Sequence, residues 1–189
     1  LLRYSRQIML PQIGIAGHRG LVETPVMILG LGGLGSPAAM YLAAAGVGQL
    51  VLVDFDRVDL TNLQRQVVHA TGRIGMPKVE SARQTLLELN PEVRIEAIAH
   101  KLENEKLAQQ VTRADLVVDA SDNFATRFAL NAACVTAGKP LVSGAAIRME
   151  AQVTVFPGTP GGPCYRCLYP EHGTVDETCS ANGVLAPLV

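Results

Sequence analysis

Three glycines and one acid define the first chemistry this chain could do. The apolar run Val26-Met27-Ile28-Leu29 ends in Gly30-x-Gly32-x-x-Gly35, and a helical pattern, Pro37 to Ala45, follows at once. Gly30 and Gly32 let the backbone turn tightly and approach a phosphate with no Cβ in the way. Gly35 lets a helix pack against the strand, and the helix N-terminus offers unpaired N–H groups to an anion. Asp54 comes 19 residues after Gly35, closing a second apolar run, Gln49 to Val53. A carboxylate there suits ribose hydroxyls. Together these residues predict a nucleotide site without saying which nucleotide.

The loop after Asp54 narrows the choice. It runs Asp56-Arg57-Val58-Asp59-Leu60-Thr61-Asn62-Leu63-Gln64-Arg65-Gln66, and residues 61–83 set Arg65, Arg73, Lys78 and Arg83 against the single acid Glu80. A local positive patch beside a phosphate-binding turn suits a triphosphate, whose oxygens gain charge as a nucleotidyl group transfers. For Arg73 and Arg83 a solvated helical face is the favoured reading. For Arg65 and Lys78 it is phosphate binding. Lys78 stands at the start of a helical pattern, where the helix dipole disfavours a cation, and a nearby polyanion would account for it. Asp122 follows the apolar run Leu116–Ala120 and precedes another helix. Either Asp122 or Asn123 can cap that helix, and Asp122 can equally hold Mg²⁺ beside phosphates; we favour the metal.

These residues need a frame. Strand patterns at Val26–Gly30, Leu50–Asp54, Arg94–Ala99, Leu116–Ala120 and Pro140–Ser143 alternate with helical patterns at Pro37–Ala45, Lys78–Leu89, Asn104–Thr112 and Phe124–Ala137. The alternation predicts an α/β fold of Rossmann-like, doubly wound type: a mostly parallel sheet with helices on both faces. Ala151–Phe156 alternates like an antiparallel strand and forms a C-terminal extension. In such sheets ligands bind beyond the carboxyl ends of the strands, which collects Gly30–Gly35, Asp54–Asp56, Asp119–Asn123 and Ser143–Ala145 around one crevice. With 189 residues, 48% of them hydrophobic, one well-packed domain is expected. A net charge of −1 gives no global field for nucleic acid or anionic membrane. No apolar run is long enough to span a bilayer. Four cysteines make no disulfide framework, so a reducing cytoplasm is expected. The chain opens on Leu1 and stops inside the apolar Pro187-Leu188-Val189, so a fragment lacking a C-terminal part is expected.

Arg3-Tyr4-Ser5-Arg6-Gln7, the glycine turn, Asp54-Phe55-Asp56, Asn62-Leu63-Gln64-Arg65-Gln66, Pro77-Lys78, Asp122-Asn123 and Cys164-Tyr165-Arg166-Cys167 occur in one order. As a set they resemble the MoeB/ThiF/HesA family, bacterial relatives of ubiquitin-activating enzymes, over essentially the whole chain. Lys78–Arg83 and Leu141–Glu150 are more similar to the molybdopterin branch than to the thiamine branch. The resemblance implies one nucleotide-binding domain over residues 1–189, with an N-terminal helical arm (1–24) and a cysteine-containing crossover region (157–189). It implies an ATP-dependent adenylyltransferase that activates the C-terminal Gly-Gly carboxylate of a ubiquitin-like sulfur carrier, the molybdopterin synthase small subunit above all. Gly33 would lie against the nucleotide and Asp54 would bind ribose. Asn62, Arg65 and Lys78 would hold phosphates, with Thr61, Leu63 and Gln64 beside them, and Asp122 would position Mg²⁺. Arg6 would reach into the partner subunit's site of a homodimer, and a sulfurtransferase is a further candidate partner.

Cys164-x-x-Cys167 is half of a four-sulfur Zn²⁺ site; in the family a second CxxC completes it, and this sequence has none. A local alternative joins Cys164, Cys167, His172 and Cys179. The resemblance instead makes Cys179 the candidate for a covalent link with the carrier. The half-site predicts weak zinc binding and a loosened tail from about Pro157. Cys134 sits in an apolar helical stretch and reads as core. Two other readings compete: an NAD-dependent dehydrogenase, which leaves the cations unused, and a carrier-docking module without catalysis.

Overall fold

The computed structural model describes residues 2–169. A helical arm, α1 (Ser5–Ile8) and α2 (Gly14–Glu23), precedes β1 (Pro25–Leu29), α3 (Gly35–Ala45), β2 (Gln49–Val53), α4 (Lys78–Leu89) and β3 (Arg94–Ile98). Then come α5 (Asn104–Arg113), β4 (Leu116–Asp119), α6 (Phe124–Ala137), the hairpin β5 (Leu141–Ile147) and β6 (Glu150–Phe156), and the short α7 (Tyr165–Leu168). The sheet order is β3-β2-β1-β4-β5-β6, parallel throughout except for the antiparallel β5–β6 pair. The expected doubly wound sheet with an antiparallel extension is therefore what the chain forms.

Each central strand buries both faces, which is why β1 reads as an unbroken apolar run. Met27 points into a cluster with Leu107 and Val111 of α5 and Leu130 and Cys134 of α6. Val26 and Ile28 point the other way, towards Ala39 and Ala43 of α3 and Val79, Ala82 and Leu86 of α4. The small residues of α3 let that helix lie close to the sheet. Cys134 is core, as expected, and burial pushes its thiol up to about 12.

Register aligns the strand ends. Leu29 pairs with both Val53 and Asp119, and Asp119 pairs with Ser143. The residues that follow β1, β2 and β4 therefore emerge on one edge, and the order reverses between β1 and β4, where open α/β sheets bind ligands.

Several element ends move by one residue, and two expectations shift further. Helix α3 starts at Gly35 rather than Pro37, since a proline is tolerated in a first helical turn. Strand β5 continues past Ser143 to Ile147, because β6 pairs with it along its full length. Of the tail expected to loosen from about Pro157, the described part ends at Tyr169, and in it Tyr165 is 2% exposed and packs into the α5–α6 core.

Candidate active site

The glycine turn is shaped by two contacts that only glycine permits. Gly30 has φ +95°, and a Cβ on it would meet the Ala120 carbonyl oxygen at 2.6 Å. A Cβ on Gly35 would sit 1.9 Å from the Gly30 carbonyl oxygen. Gly32 differs: its nearest obstacle would be Gln66 Nε2 at 3.5 Å, an ordinary contact. The fold therefore demands glycine at 30 and 35 and leaves the space above Gly32 open.

Side chains hold this turn at both ends of one residue. The Leu31 N–H donates to Asp54 Oδ2 at 2.7 Å, and the Leu31 carbonyl lies 3.1 Å from His69 Nε2. Only a protonated Nε2 can bond a carbonyl, so His69 Nδ1 accepts from Ser81 Oγ at 3.0 Å. Burial holds the His69 pKa down at about 4, against the favourable Leu31 carbonyl. Asp54 Oδ1 accepts from the Asp56 N–H at 2.8 Å. Burial raises the Asp54 pKa, opposed by the Lys78 charge and these two N–H donors.

Lys78 begins α4, and its position has a local cause. Its N–H donates to the Asp56 carbonyl at 2.9 Å and its Nζ reaches Asp56 Oδ2 at 2.9 Å. Its side chain is only 5% exposed. The anion that offsets the helix dipole is thus Asp56 of the protein itself, so a polyanion is not needed to explain the lysine's place. Arg65 follows a 3₁₀ turn, Leu60–Asn62, capped by Asp59. Asn62 Oδ1 accepts from Arg65 Nη2 at 2.8 Å and fixes the guanidinium.

Across the edge, Asn123 caps α6 by accepting from the Thr126 N–H at 2.9 Å. That settles the choice between the two capping candidates and leaves the Asp122 carboxylate exposed, with the Asn123 amide at 3.4 Å as its one hydrogen-bond partner among the described residues. One free carboxylate beside a phosphate site fits Mg²⁺, which takes one or two carboxylates and fills the rest of its shell with water and phosphate oxygens.

A cavity of about 1010 Å³ joins these parts. Its walls include Gly30, Gly32, Gly33, Asp54, Asp56, Arg65, Lys78, Asp122 and Asn123. Gly35 lies beneath it. Thr61, Asn62, Leu63 and Gln64 form the turn that carries Arg65 and do not line it. Arg6 is exposed on α1 and stands outside the cavity. Arg83 is an exposed partner of Glu80, the solvated face expected of it, whereas Arg73 is mostly buried and donates to the Ser81 carbonyl of α4 at 2.9 Å, so it is framework rather than a solvated charge. Ala145 lines the cavity as expected; sequence reasoning missed His69, the Lys101–Asn104 wall, Ala146, and the buried trio Gln66, Arg127 and Tyr165.

Cys164 caps α7 and its N–H points at Cys167 Sγ, 3.4 Å away. Burial pushes the Cys164 thiol up, but hydrogen bonds from Asn131, Arg166 and Cys167 outweigh it and leave the pKa lowered. Two sulfurs on one turn fit half of a tetrahedral Zn²⁺ site. No cluster of three metal-ligating side chains occurs among the described residues. His172 and Cys179 lie outside them.

A model of the ThiF family matches residues 4–189. The chain belongs to that family. Among its ThiF-family relatives, the molybdopterin-synthase adenylyltransferase of Escherichia coli K12 is 51% identical over all of this chain and 76% of its own length. The ThiS sulfur-carrier adenylyltransferase of the same organism is 45% identical over all of this chain and 75% of its own. The structure of E. coli MccB with ATP superposes with a TM-score of 0.76 at 30% identity, covering 89% of this chain and 52% of that one. The chain thus spans about half the length of that solved structure. The two sequence relatives are adenylyltransferases, and the dehydrogenase reading falls away. Among the described residues no helix is long and apolar enough to cross a membrane.

Proposed function

We propose that this chain carries the active site of an ATP-dependent adenylyltransferase that activates the C-terminal Gly-Gly carboxylate of a ubiquitin-like sulfur carrier. The observation that carries this reading is the single cavity whose walls join Arg65, Lys78 and Asp122 to the glycine turn. The likeness to the molybdopterin-synthase enzyme supports the molybdopterin synthase small subunit as the carrier. The thiamine-pathway carrier is the alternative, since the ThiS enzyme is nearly as similar.

In this reading ATP lies along the edge with ribose at Asp54 and its phosphates over Gly32 and Gly33. A carrier carboxylate oxygen attacks the α-phosphorus. The bond to the bridging oxygen breaks, pyrophosphate leaves with its electron pair, and an acyl-adenylate remains. Arg65 and Lys78 offset the charge that builds on the phosphate oxygens, with positions fixed beforehand by Asn62 and Asp56. Asp122 would hold Mg²⁺, which supplies further neutralisation of the phosphates. Arg6, exposed on the arm, would serve a second subunit's cavity in a homodimer. Cys164 and Cys167 would give two thiolates to a structural Zn²⁺. Unpaired Cys134, Cys164 and Cys167 suit a reducing cytoplasm.

The test is carrier-dependent exchange of labelled pyrophosphate into ATP, run with both carriers and with a Gly-Gly-truncated control. Exchange with the molybdopterin carrier alone is expected, and exchange with the thiamine carrier alone would transfer the reading to that branch. Carrier binding without exchange, persisting in Asp122→Ala, would leave a docking module in place of an enzyme.

A further inference from the structure

Arg127 is the one charged side chain on the buried stripe of α6, beside Leu130, Asn131 and Cys134. It is 9% exposed, and its Nη2 donates to the Ser121 carbonyl at 2.7 Å. That carbonyl belongs to the peptide that carries the Asp122 N–H. The guanidinium carbon lies 5.7 Å from the centroid of the Phe124 ring. Asp119, 1% exposed, holds the other side of the turn by accepting from the Ser121 N–H at 3.0 Å and from its hydroxyl at 2.6 Å. Burial raises the Asp119 pKa, and the Ser121 bonds and the Arg127 charge oppose that rise.

Three buried side-chain polar atoms lack a partner among the described residues: Gln66 Oε1, Arg127 Nε and Tyr165 Oη. All three residues line the cavity. Tyr165 belongs to α7 and stands between Cys164 and Cys167. Its ring is wedged against Phe128, Phe156 and Tyr169, with centroids 5.4, 6.2 and 4.9 Å away. Its N–H donates to Asn131 Oδ1 at 2.8 Å, one turn along α6 from Arg127 on the same buried stripe.

We propose that Arg127 is a positioning residue for Asp122, and that Tyr165 is the strut that keeps Arg127 under the Ser121–Asp122 peptide. This rests on the reading of Asp122 as the Mg²⁺ ligand. Among the described residues the Asp122 side chain has one contact to steady it, the 3.4 Å one from Asn123, so its place is set by its backbone. The backbone is gripped at the Ser121 N–H by Asp119, at the Ser121 carbonyl by Arg127, and at the cap by Asn123. Tyr165 of the cysteine turn, anchored at Asn131 and packed on Phe128, sits on the same stretch of α6 as Arg127.

The test measures binding of a fluorescent ATP analogue to the whole chain as Mg²⁺ is varied, and again in EDTA. Thermal unfolding and exchange kinetics are followed alongside. Arg127→Lys keeps the charge but loses the fork. The double variant Arg127→Met with Asp119→Asn removes both buried charges together, so neither is left uncompensated. Tyr165→Phe deletes one unpaired oxygen and keeps the ring. The expected result is a rise of roughly tenfold in the half-saturating Mg²⁺ concentration for both Arg127 variants. A smaller rise in the same direction is expected for Tyr165→Phe. Binding in EDTA should stay unchanged, and exchange should fall in kcat more than in KM. Folded variants with an unmoved Mg²⁺ midpoint would overturn the proposal, as would an equal loss of binding in EDTA, which marks a direct nucleotide contact. If Arg127→Lys shifts the midpoint and Tyr165→Phe does not, the strut is wrong. If the unmutated protein binds the analogue with no response to Mg²⁺, the reading of Asp122 itself fails.

Discussion

Lys78 and Asp56 grip each other twice, backbone N–H to carbonyl and Nζ to Oδ2, each at 2.9 Å. The lysine is buried and the aspartate half exposed. This pair explains how a cation sits at a helix start and yet faces the cavity. Lys78→Ala should lower the exchange rate roughly 10²- to 10³-fold, the scale of losing one preorganised donor. Asp56→Asn should cost about 1 kcal/mol of stability in urea titration, a modest figure because solvent screens the aspartate. An unaltered rate in Lys78→Ala would remove the lysine from the chemistry.

Gly32 and Gly35 separate binding from folding. Gly35→Ala drives a methyl into the Gly30 carbonyl and should cost about 3 kcal/mol or more. Gly32→Ala meets only ordinary contacts and should change stability by less than about 1 kcal/mol, while its methyl occupies the phosphate path. Its ATP affinity should fall roughly tenfold, or about 1.4 kcal/mol, by calorimetry. Equal stability losses in the two variants would contradict this division.

Asp122 and Asn123 are neighbours with separate tasks. Asn123→Ala removes the cap of α6 and should lower stability by about 1 kcal/mol. Asp122→Asn should leave unfolding nearly unmoved and abolish most Mg²⁺-dependent exchange. The prediction fails if the stability loss follows Asp122 instead.

His69 makes stability depend on pH. Its folded pKa, about 4, lies below the ordinary 6.5 because burial disfavours the charged ring and the Lys78 and Arg73 charges add to that, outweighing the Leu31 carbonyl. The unfolded chain therefore takes up the proton first. The stabilisation is complete above about pH 6.5 and is lost as pH falls from there towards 4, by roughly 3 kcal/mol in all. Denaturant titrations across that range should show the slope, and His69→Asn should flatten it. An NMR titration placing the ring near 6.5 would exclude the neutral, twice-bonded histidine.

Local punctuation made some elements legible to the residue. Helices Lys78–Leu89 and Phe124–Ala137 match the sequence reading at both ends, because Pro77, Asn90-Pro91 and Gly138 bound them. The glycine turn and Asp54 were legible because their spacing is local. His69 was not, since its partner Leu31 is 38 residues away and only folding joins them. Arg127 did leave a signal. It shares an i, i+3, i+4, i+7 stripe with Leu130, Asn131 and Cys134, and a charge on a buried stripe calls for a specific partner. Lys78 left a signal too: a cation at a helix start stood out, while its partner Asp56, 22 residues earlier, is joined to it only by folding.

Strand β6 ends the sheet, and among the described residues β5 is its one hydrogen-bonded neighbour. Val153 and Val155 are 73% and 62% exposed on it. An open ladder flanked by valines recruits other extended chains, including further copies of itself. Anyone purifying this polypeptide should therefore meet concentration-dependent precipitation, and a lysine written in at Val153 is the simplest remedy to try.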